Sequence, residues 1–286
     1  DKLSQILRPD IGVITNIGPA HLKNFKNLKV VCLAKAEIMN HIQENGYIVL
    51  NKDDFYFNTL FKIANNKKLK IITFSKSKKA NVQLLKIIKK KNSYQITVKV
   101  LQKKITIQTN TINDSFVVNF LATLCVCSYF NCSLKKIKKR ANFFLLPSGR
   151  GNKIIKIIKG KKVHIIDESY NANPISMKNA IENFSLFNSH KKKKIAIIGD
   201  MLELGQKSKF YHLEVAKILN NAEIDEIYLV GKEVVHIHNQ LKKTKTCFIC
   251  KDIVHFKSLF LEIANEKSIF LIKGSNGVGL NKLVNQ

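Results

Sequence analysis

The chain has 286 residues, 45% of them hydrophobic, which is enough to bury two cores and suggests two domains. No run reaches the uninterrupted apolar length of a membrane span, and the sequence opens at Asp1 with no signal peptide or basic, hydrophobic leader, so it reads as a piece of a soluble cytoplasmic protein. The formal net charge of +29 would suit nucleic acid, but the lysines run through every segment beside abundant Ile and Asn, as in a genome-wide compositional bias. No basic motif interleaved with aromatics is present, so nucleic acid is not expected as a partner, while anionic small substrates are favoured.

In chain order, Ile11 to Thr15 reads as a buried strand, and the loop that follows carries His21 just past the strand end, where ligands gather in α/β sheets. An amphipathic helix is expected from about Leu28 to Gln43, stopped by Asn45 and Gly46. On a helical projection Lys35 falls in the middle of its apolar face, among Leu28, Val31, Ile38, Met39 and Ile42. A lysine there must snorkel, find an anion or lose its charge. Tyr47 to Leu50 is the next strand, and the turn after it, Asn51 to Asp54, has the composition of an Asp-rich helix start.

Strands at Val82 to Ile88, Tyr94 to Leu101 and Ile105 to Gln108 fit a meander without obvious chemistry. Helices follow near Phe116 to Tyr129 and Leu134 to Asn142. The Pro and Gly of the segment Leu146 to Arg150 mark a hinge, which sets the domains at 1–148 and 149–286. Beyond it, runs at 153–158, 162–166, 194–198, 226–230, 246–249 and 268–272 alternate mostly with helical patterns. A hairpin and then repeated βα units predict a mainly parallel, Rossmann-like sheet.

Three stretches in this second half stand at strand ends. Val163 to Ile166 stops at Asp167, and the loop restarts as a helix near Ile175; Asp167 can meet a ligand hydroxyl or ammonium, and Asn173 before Pro174 can equally be a helix cap. The strand Ile195 to Ile198 runs into Asp200 and Glu203, which have the spacing of a capping box. The last strand runs into Lys273-Gly-Ser-Asn-Gly, a glycine-rich anion site ahead of a short helix. Of six cysteines, Cys247 and Cys250 form a CxxC, but no second pair completes a zinc site, so buried reduced thiols are expected.

The segments TNIGPAHLKNF (15–25), AKAEI (34–38), SYNANPISM (169–177) and GDMLELG (199–205), the last followed by His212, resemble the Mur ligases in this order. The pairing of the last two is similar to the branch of that family that adds a terminal dipeptide to a cell-wall precursor. The resemblance implies the second part of a central ATPase domain followed by a Rossmann-like ligase domain. It implies ATP and Mg²⁺, with Lys35 carbamylated and Lys35 and His21 both catalytic and near the metal. A carbamate turns the cation into an anion with oxygen donors suited to Mg²⁺, and an apolar setting favours the neutral amine it forms from. Asn51, Asn119, Arg150 and Asp167 are implied at the nucleotide, Arg150 as a planar fork for phosphate that could otherwise be a solvated linker residue. Tyr170, Asn171, Asn173 and Lys273 are implied on the dipeptide side.

The implied reaction joins D-alanyl-D-alanine to UDP-N-acetylmuramoyl-tripeptide through an acyl phosphate, in a monomer whose second domain closes over the first at 147–150. Alternatives are another Mur-type amide ligase or a non-catalytic fragment, because the phosphate loop GxxxxGK[ST] is nowhere in the chain and the family carries it upstream of TNIG. Two further departures stand out. Asn113-Asp-Ser-Phe116 replaces the family's GxHN, so that an adenine would either stack on Phe116 or be held poorly, and Asn276 replaces the arginine that usually follows KGS.

Overall fold

The computed structural model describes residues 1–19, 25–91, 93–109, 112, 114–141, 147–189 and 191–284. The chain divides into two compact units, the first made of residues 1–18 and 25–145 and the second chiefly of the residues from 146 on.

The first unit contains α1 (Lys2–Leu7), β1 (Ile11–Ile14), α2 (Leu28–Ala36), β2 (Tyr47–Asn51), α3 (Phe57–Asn66), β3 (Lys70–Ser75), β4 (Val82–Lys89), β5 (Tyr94–Val100), β6 (Lys103–Thr109), α4 (Asp114–Tyr129) and α5 (Leu134–Ala141). Its six strands lie in numerical order. β1, β2 and β3 pair in parallel and β4, β5 and β6 antiparallel, joined by the short parallel contact of Val82 and Gln83 with Phe74 and Ser75. A parallel strand covered on both faces needs a continuous apolar run, and Ile48, Val49 and Leu50 of β2 are all fully buried. The meander instead alternates: Ile96, Val98 and Val100 of β5 face the core, with polar residues between them.

The helix expected to reach Gln43 is shorter. α2 is capped by Asn27, whose side chain accepts the Val30 amide at 3.1 Å, and gives way to a 3₁₀ turn over Glu37–Asn40. The buried residues are Val31, Cys32 and Ala36 in α2 and Met39 in the turn beyond; Lys35 starts on the same side, one helical turn from Val31 and Cys32, but is exposed, its stem carrying the ammonium out past them.

The second unit contains β7 (Asn152–Ile158), β8 (Lys161–Glu168), α6 (Pro174–Ser185), β9 (Lys193–Gly199), α7 (Ser208–Asn221), β10 (Glu226–Val230), α8 (Val235–His238), β11 (Thr246–Cys250), α9 (Ile253–Ile263) and β12 (Ser268–Lys273). The sheet order is β11-β10-β9-β12-β8-β7, parallel except for the antiparallel β7. β12 returns to the centre between β9 and β8, and every one of its residues is buried.

One face of this sheet packs with α6, α7 and α8 through Met177, Phe184, Val215, Leu219 and Ile237. The other packs with α9 through Phe256, Phe260 and Phe270, each contributing about 2 kcal/mol by removal from water. Cys247 lies against the first cluster and Cys250 against the second, so the CxxC points to opposite faces and can form neither a disulfide nor a shared metal site.

β8 does not stop at Ile166 as expected. Asp167 and Glu168 remain in the ladder, opposite Ile272 and Lys273 of β12, because the central strand supplies partners to the end.

Candidate functional site

At the carboxyl edge of the first sheet the turn Asn51 to Asp54 ties three strand ends together. Asn51 donates to the Thr15 carbonyl at 3.0 Å and accepts the Asp53 amide at 3.0 Å. Asp54 accepts the Ile17 amide at 2.6 Å and the Tyr56 amide at 2.8 Å, fixing the loop after β1. Asp53 accepts the hydroxyls of Ser75 and Ser77, each at 2.7 Å, and the Lys76 amide, fixing the loop after β3. These bonds hold the Asp53 carboxyl below its ordinary pKa despite burial, which pushes the other way.

Lys35 reaches the same edge. Its Nζ donates to the Asn16 carbonyl at 2.9 Å, next to the residue held by Asp54. Partial loss of water lowers the pKa of this amine, against the upward pull of Asp54 and Cys32. His21 lies outside the described residues. Among those described, no three His, Cys, Asp or Glu side chains gather as a metal site. Asn119 is exposed on α4, whereas Phe116 is buried and stacks on Phe120 with centroids 6.0 Å apart, so its ring belongs to the core and is not an open platform for a base.

The carboxyl edge of the second sheet is tied differently, by groups that are themselves buried. Lys273 is 1% exposed; its Nζ donates to the Asn171 carbonyl at 2.6 Å and lies 3.7 Å from the Glu168 carboxylate. Burial lowers the Lys273 pKa and raises that of Glu168, and each is pulled back by the other. Lys273 therefore holds the loop after β8 onto β12 and does not stand open as the expected anion site. Asp167 is 2% exposed, and its Oδ1 accepts the amide and hydroxyl of Ser169 at 3.1 and 2.6 Å. It too faces inward rather than toward a ligand.

Ser275, which the sequence reading passed over, links three loops: its hydroxyl donates to the Ala172 carbonyl at 3.3 Å and accepts the Leu202 amide at 2.9 Å. The serine of the KGS triplet was the available signal. Asp200 accepts the amides of Lys232 and Val234, both at 2.9 Å, and so joins the loops after β9 and β10. It is not a capping box, because α7 begins only at Ser208. Gly231 is required beside it: its φ is +134°, and a Cβ there would meet the Asp200 carboxylate at 2.4 Å. His212, fully buried, donates from Nδ1 to the Ser208 carbonyl at 2.8 Å and accepts the Met201 amide on Nε2 at 3.1 Å. Burial lowers its pKa, which keeps the ring in this neutral tautomer.

At the surface of this edge the guanidinium of Arg150 lies 4.2 Å from the centre of the Tyr170 ring, which is 51% exposed. The pair is fixed from below: Tyr170 donates its amide to the Gly149 carbonyl at 3.1 Å, and Gly151 donates to the Asp167 carbonyl at 2.7 Å. Gly149 has φ +76°, and a Cβ on it would meet Tyr170 at 2.7 Å. Asn171 is exposed, with its side chain accepting the Ala172 amide. Asn173 is the cap of α6: its side chain accepts the Ser176 amide at 2.9 Å, and Ser176 returns the bond. Arg150, Tyr170, Asp167, Glu168 and Lys273 thus share one strand-end cluster, with the first two at its surface.

Two α/β units with glycine-bearing and acid-bearing loops tied at the carboxyl edges of their sheets are the setting of a ligand-binding enzyme, and the family matches say which: the chain belongs to the Mur ligases. The profile of the Mur ligase middle domain matches residues 1–127, and that of the Mur ligase, glutamate ligase domain matches residues 154–276. The chain is 30% identical over 284 residues, 99% of its length, to the UDP-N-acetylmuramoyl-tripeptide--D-alanyl-D-alanine ligase of Rickettsia prowazekii, and 27% identical over 290 residues to the enzyme of that name from Bacillus subtilis. It covers 62% and 60% of those two proteins. Among solved structures, MurF from Acinetobacter baumannii superposes with a TM-score of 0.83 at 25% identity over 98% of this chain and 60% of that one. The chain therefore spans about three fifths of the relatives it matches.

Proposed function

We propose that this chain forms the later part of an ATP-dependent ligase that joins D-alanyl-D-alanine to UDP-N-acetylmuramoyl-tripeptide in peptidoglycan precursor synthesis. Residues 1–148 would be the remainder of the ATP-binding domain and 149–286 the ligase domain. The observation that carries the reading is the interlocking of SYNANPISM and GDMLELG through Ser275, with Lys273 holding the first of them onto β12, within a chain that aligns over 99% of its own length with a relative of that name.

Acyl transfer by way of an acyl phosphate needs the carboxylate, the phosphoryl donor and the attacking amine held in line, and it needs phosphate charge neutralised. Arg150, permanently charged and steadied on Tyr170, suits phosphate. Tyr170 and Asn171 expose polar groups suited to a dipeptide, while Asp167, Asn173 and Lys273 act as positioning residues beneath them. Lys35 fits a magnesium site after carbamylation: its amine has its pKa lowered by its surroundings, it lies at a strand end, and its bond to the Asn16 carbonyl is the kind a metal ligand can exchange. Mg²⁺ held there with His21 would supply charge neutralisation.

The test is ADP release by the protein carrying this chain together with its upstream reading frame. Release is expected only when UDP-N-acetylmuramoyl-tripeptide and D-alanyl-D-alanine are both present, with no release when single amino acids replace the dipeptide. Turnover with a single amino acid would assign another Mur-type ligase, and absence of turnover with a purified, folded protein would make the chain a non-catalytic relative.

A further inference from the structure

The positive charge is not spread evenly once the acids are followed as well as the lysines. Between residues 55 and 141 there are 19 Lys and Arg and a single acid, Asp114. Much of that segment is the meander, and its outward face is defined by the register: Gln83, Lys86 and Ile88 of β4, Gln95, Thr97 and Lys99 of β5, and Lys104, Thr106 and Gln108 of β6. All nine are partly or fully exposed. Lys99 and Lys104 stand directly opposite each other, an arrangement that costs stability, and among the described residues neither has an ion-pair partner.

The ribbon is also unpartnered along one side. β4 touches β3 only at Val82 and Gln83, so from Leu84 onward its outer edge is unpaired among the described residues. A register shift between Leu84 and Lys86 interrupts the ladder there, and Leu85, the extra residue, is 42% exposed, whereas Ile87 pairs with core-facing Ile96 on the other face. Lys89, Lys90 and Lys91 follow, all exposed, at the end of the hairpin. Lysines along an open edge also discourage strand addition, which is the structural alternative.

We propose that this ribbon docks on an anionic phospholipid surface, with Lys86, Lys89, Lys90 and Lys91 meeting headgroup phosphates and Leu85 entering the headgroup layer. Two features favour lipid over nucleic acid. The exposed apolar residue beside the lysines, Leu85, is aliphatic, and the ribbon carries a single aromatic ring, the half-buried Tyr94 opposite Lys89, whereas a platform for bases needs open aromatic rings. Every cation of the ribbon is a lysine, a point charge suited to a diffuse anionic surface rather than to forked recognition of a phosphate or a base.

The experiment is co-sedimentation of the full chain with vesicles of phosphatidylcholine alone and of phosphatidylcholine mixed with phosphatidylglycerol, with circular dichroism as a control for folding. Binding is expected only to the mixed vesicles and should fall as salt is raised. Lys89→Gln, Lys90→Gln and Lys91→Gln combined should weaken it about a hundredfold. Leu85→Ser, which leaves the charge intact, should weaken it several-fold. Equal binding to both vesicles, or mixed-vesicle binding untouched by the triple substitution, would overturn the proposal and leave the lysines as protection of an open edge. Binding insensitive to Leu85→Ser, with lysine-dependent capture of polyuridylate stronger than that of vesicles, would overturn it in favour of single-stranded nucleic acid.

Discussion

The carboxyl edges of the two sheets solve the same problem with opposite placements of charge. In the first unit the ties are carboxylates and an amide on one turn, Asn51, Asp53 and Asp54, all accepting or donating over short range, and the lysine beside them stays exposed. In the second unit the charged groups themselves go inside: Asp167, Asp200 and Lys273 are at most 6% exposed, and arginine and tyrosine are left at the surface. A lysine inside a fold must act on the protein, since an unpaired ammonium there is too costly to leave waiting for a ligand. A lysine at the surface with one carbonyl partner is available for chemistry. The two lysines singled out by motif, Lys35 and Lys273, therefore differ in kind.

The sharpest way to break this contrast is Lys273→Met. The variant keeps the stem and removes the ammonium, leaving the Glu168 carboxylate without its partner and the Asn171 carbonyl without its donor. Loss of one member of a buried pair should cost about 3 kcal/mol, read as a lower denaturant midpoint with an unchanged slope. Adding Glu168→Gln should restore part of it, because the orphaned charge is gone. If the single variant were as stable as the parent, Lys273 would not be the clamp described.

How much of this was legible beforehand depended on the range of the interaction involved. The strands were readable because a parallel strand buried on both faces leaves an uninterrupted apolar run, as in β2 and β12, and the meander because its alternation is local. The motif loops were readable as segments. Their internal wiring was not: that Asp200 reaches amides past β10, or that Ser275 joins the loops after β8 and β9, follows from sheet order, and no local pattern reports that β12 inserts between β9 and β8. Lys35 differs for another reason. A helical projection places the start of a side chain, and a long lysine stem can carry its ammonium out of the face on which it begins. Asp167 was read as the end of a strand because polarity usually marks an end; here a neighbouring strand kept the ladder going.

A medium effect sharpens the contrast through pH. His212 is buried in its neutral form, so its folded pKa lies below the ordinary 6.5. A base whose folded pKa is depressed contributes stability that is fully present above its unfolded pKa and is lost as pH falls toward the folded one. Stability of the second unit should therefore decline below about pH 6.5, by at most about 1.4 kcal/mol per pH unit. The bond to the Ser208 carbonyl and the charges of Asp200 and Glu233 pull this pKa back up and narrow the window, while His236 pushes it down and widens it. His212→Gln should start from a lower stability and show a flatter profile between pH 6.5 and pH 5. A parent profile already flat in that range would show that the ring is not held neutral.

The smallest expected change in stability is at Lys35, and its smallness is what separates the two edges. Lys35→Met keeps the apolar stem beside Cys32 and gives up one hydrogen bond to a carbonyl that water can reach, so the unfolding free energy read from the denaturant midpoint should change by no more than about 0.5 kcal/mol. Turnover of the protein that includes the upstream region should nonetheless fall by about a hundredfold or more if the lysine supplies charge stabilisation during phosphoryl transfer. Because a carbamate forms from the neutral amine, the parent's activity at fixed pH should rise with dissolved carbon dioxide and the variant's should not. A lysine that mattered only for folding would reverse both results, with a shifted midpoint and turnover indifferent to carbon dioxide.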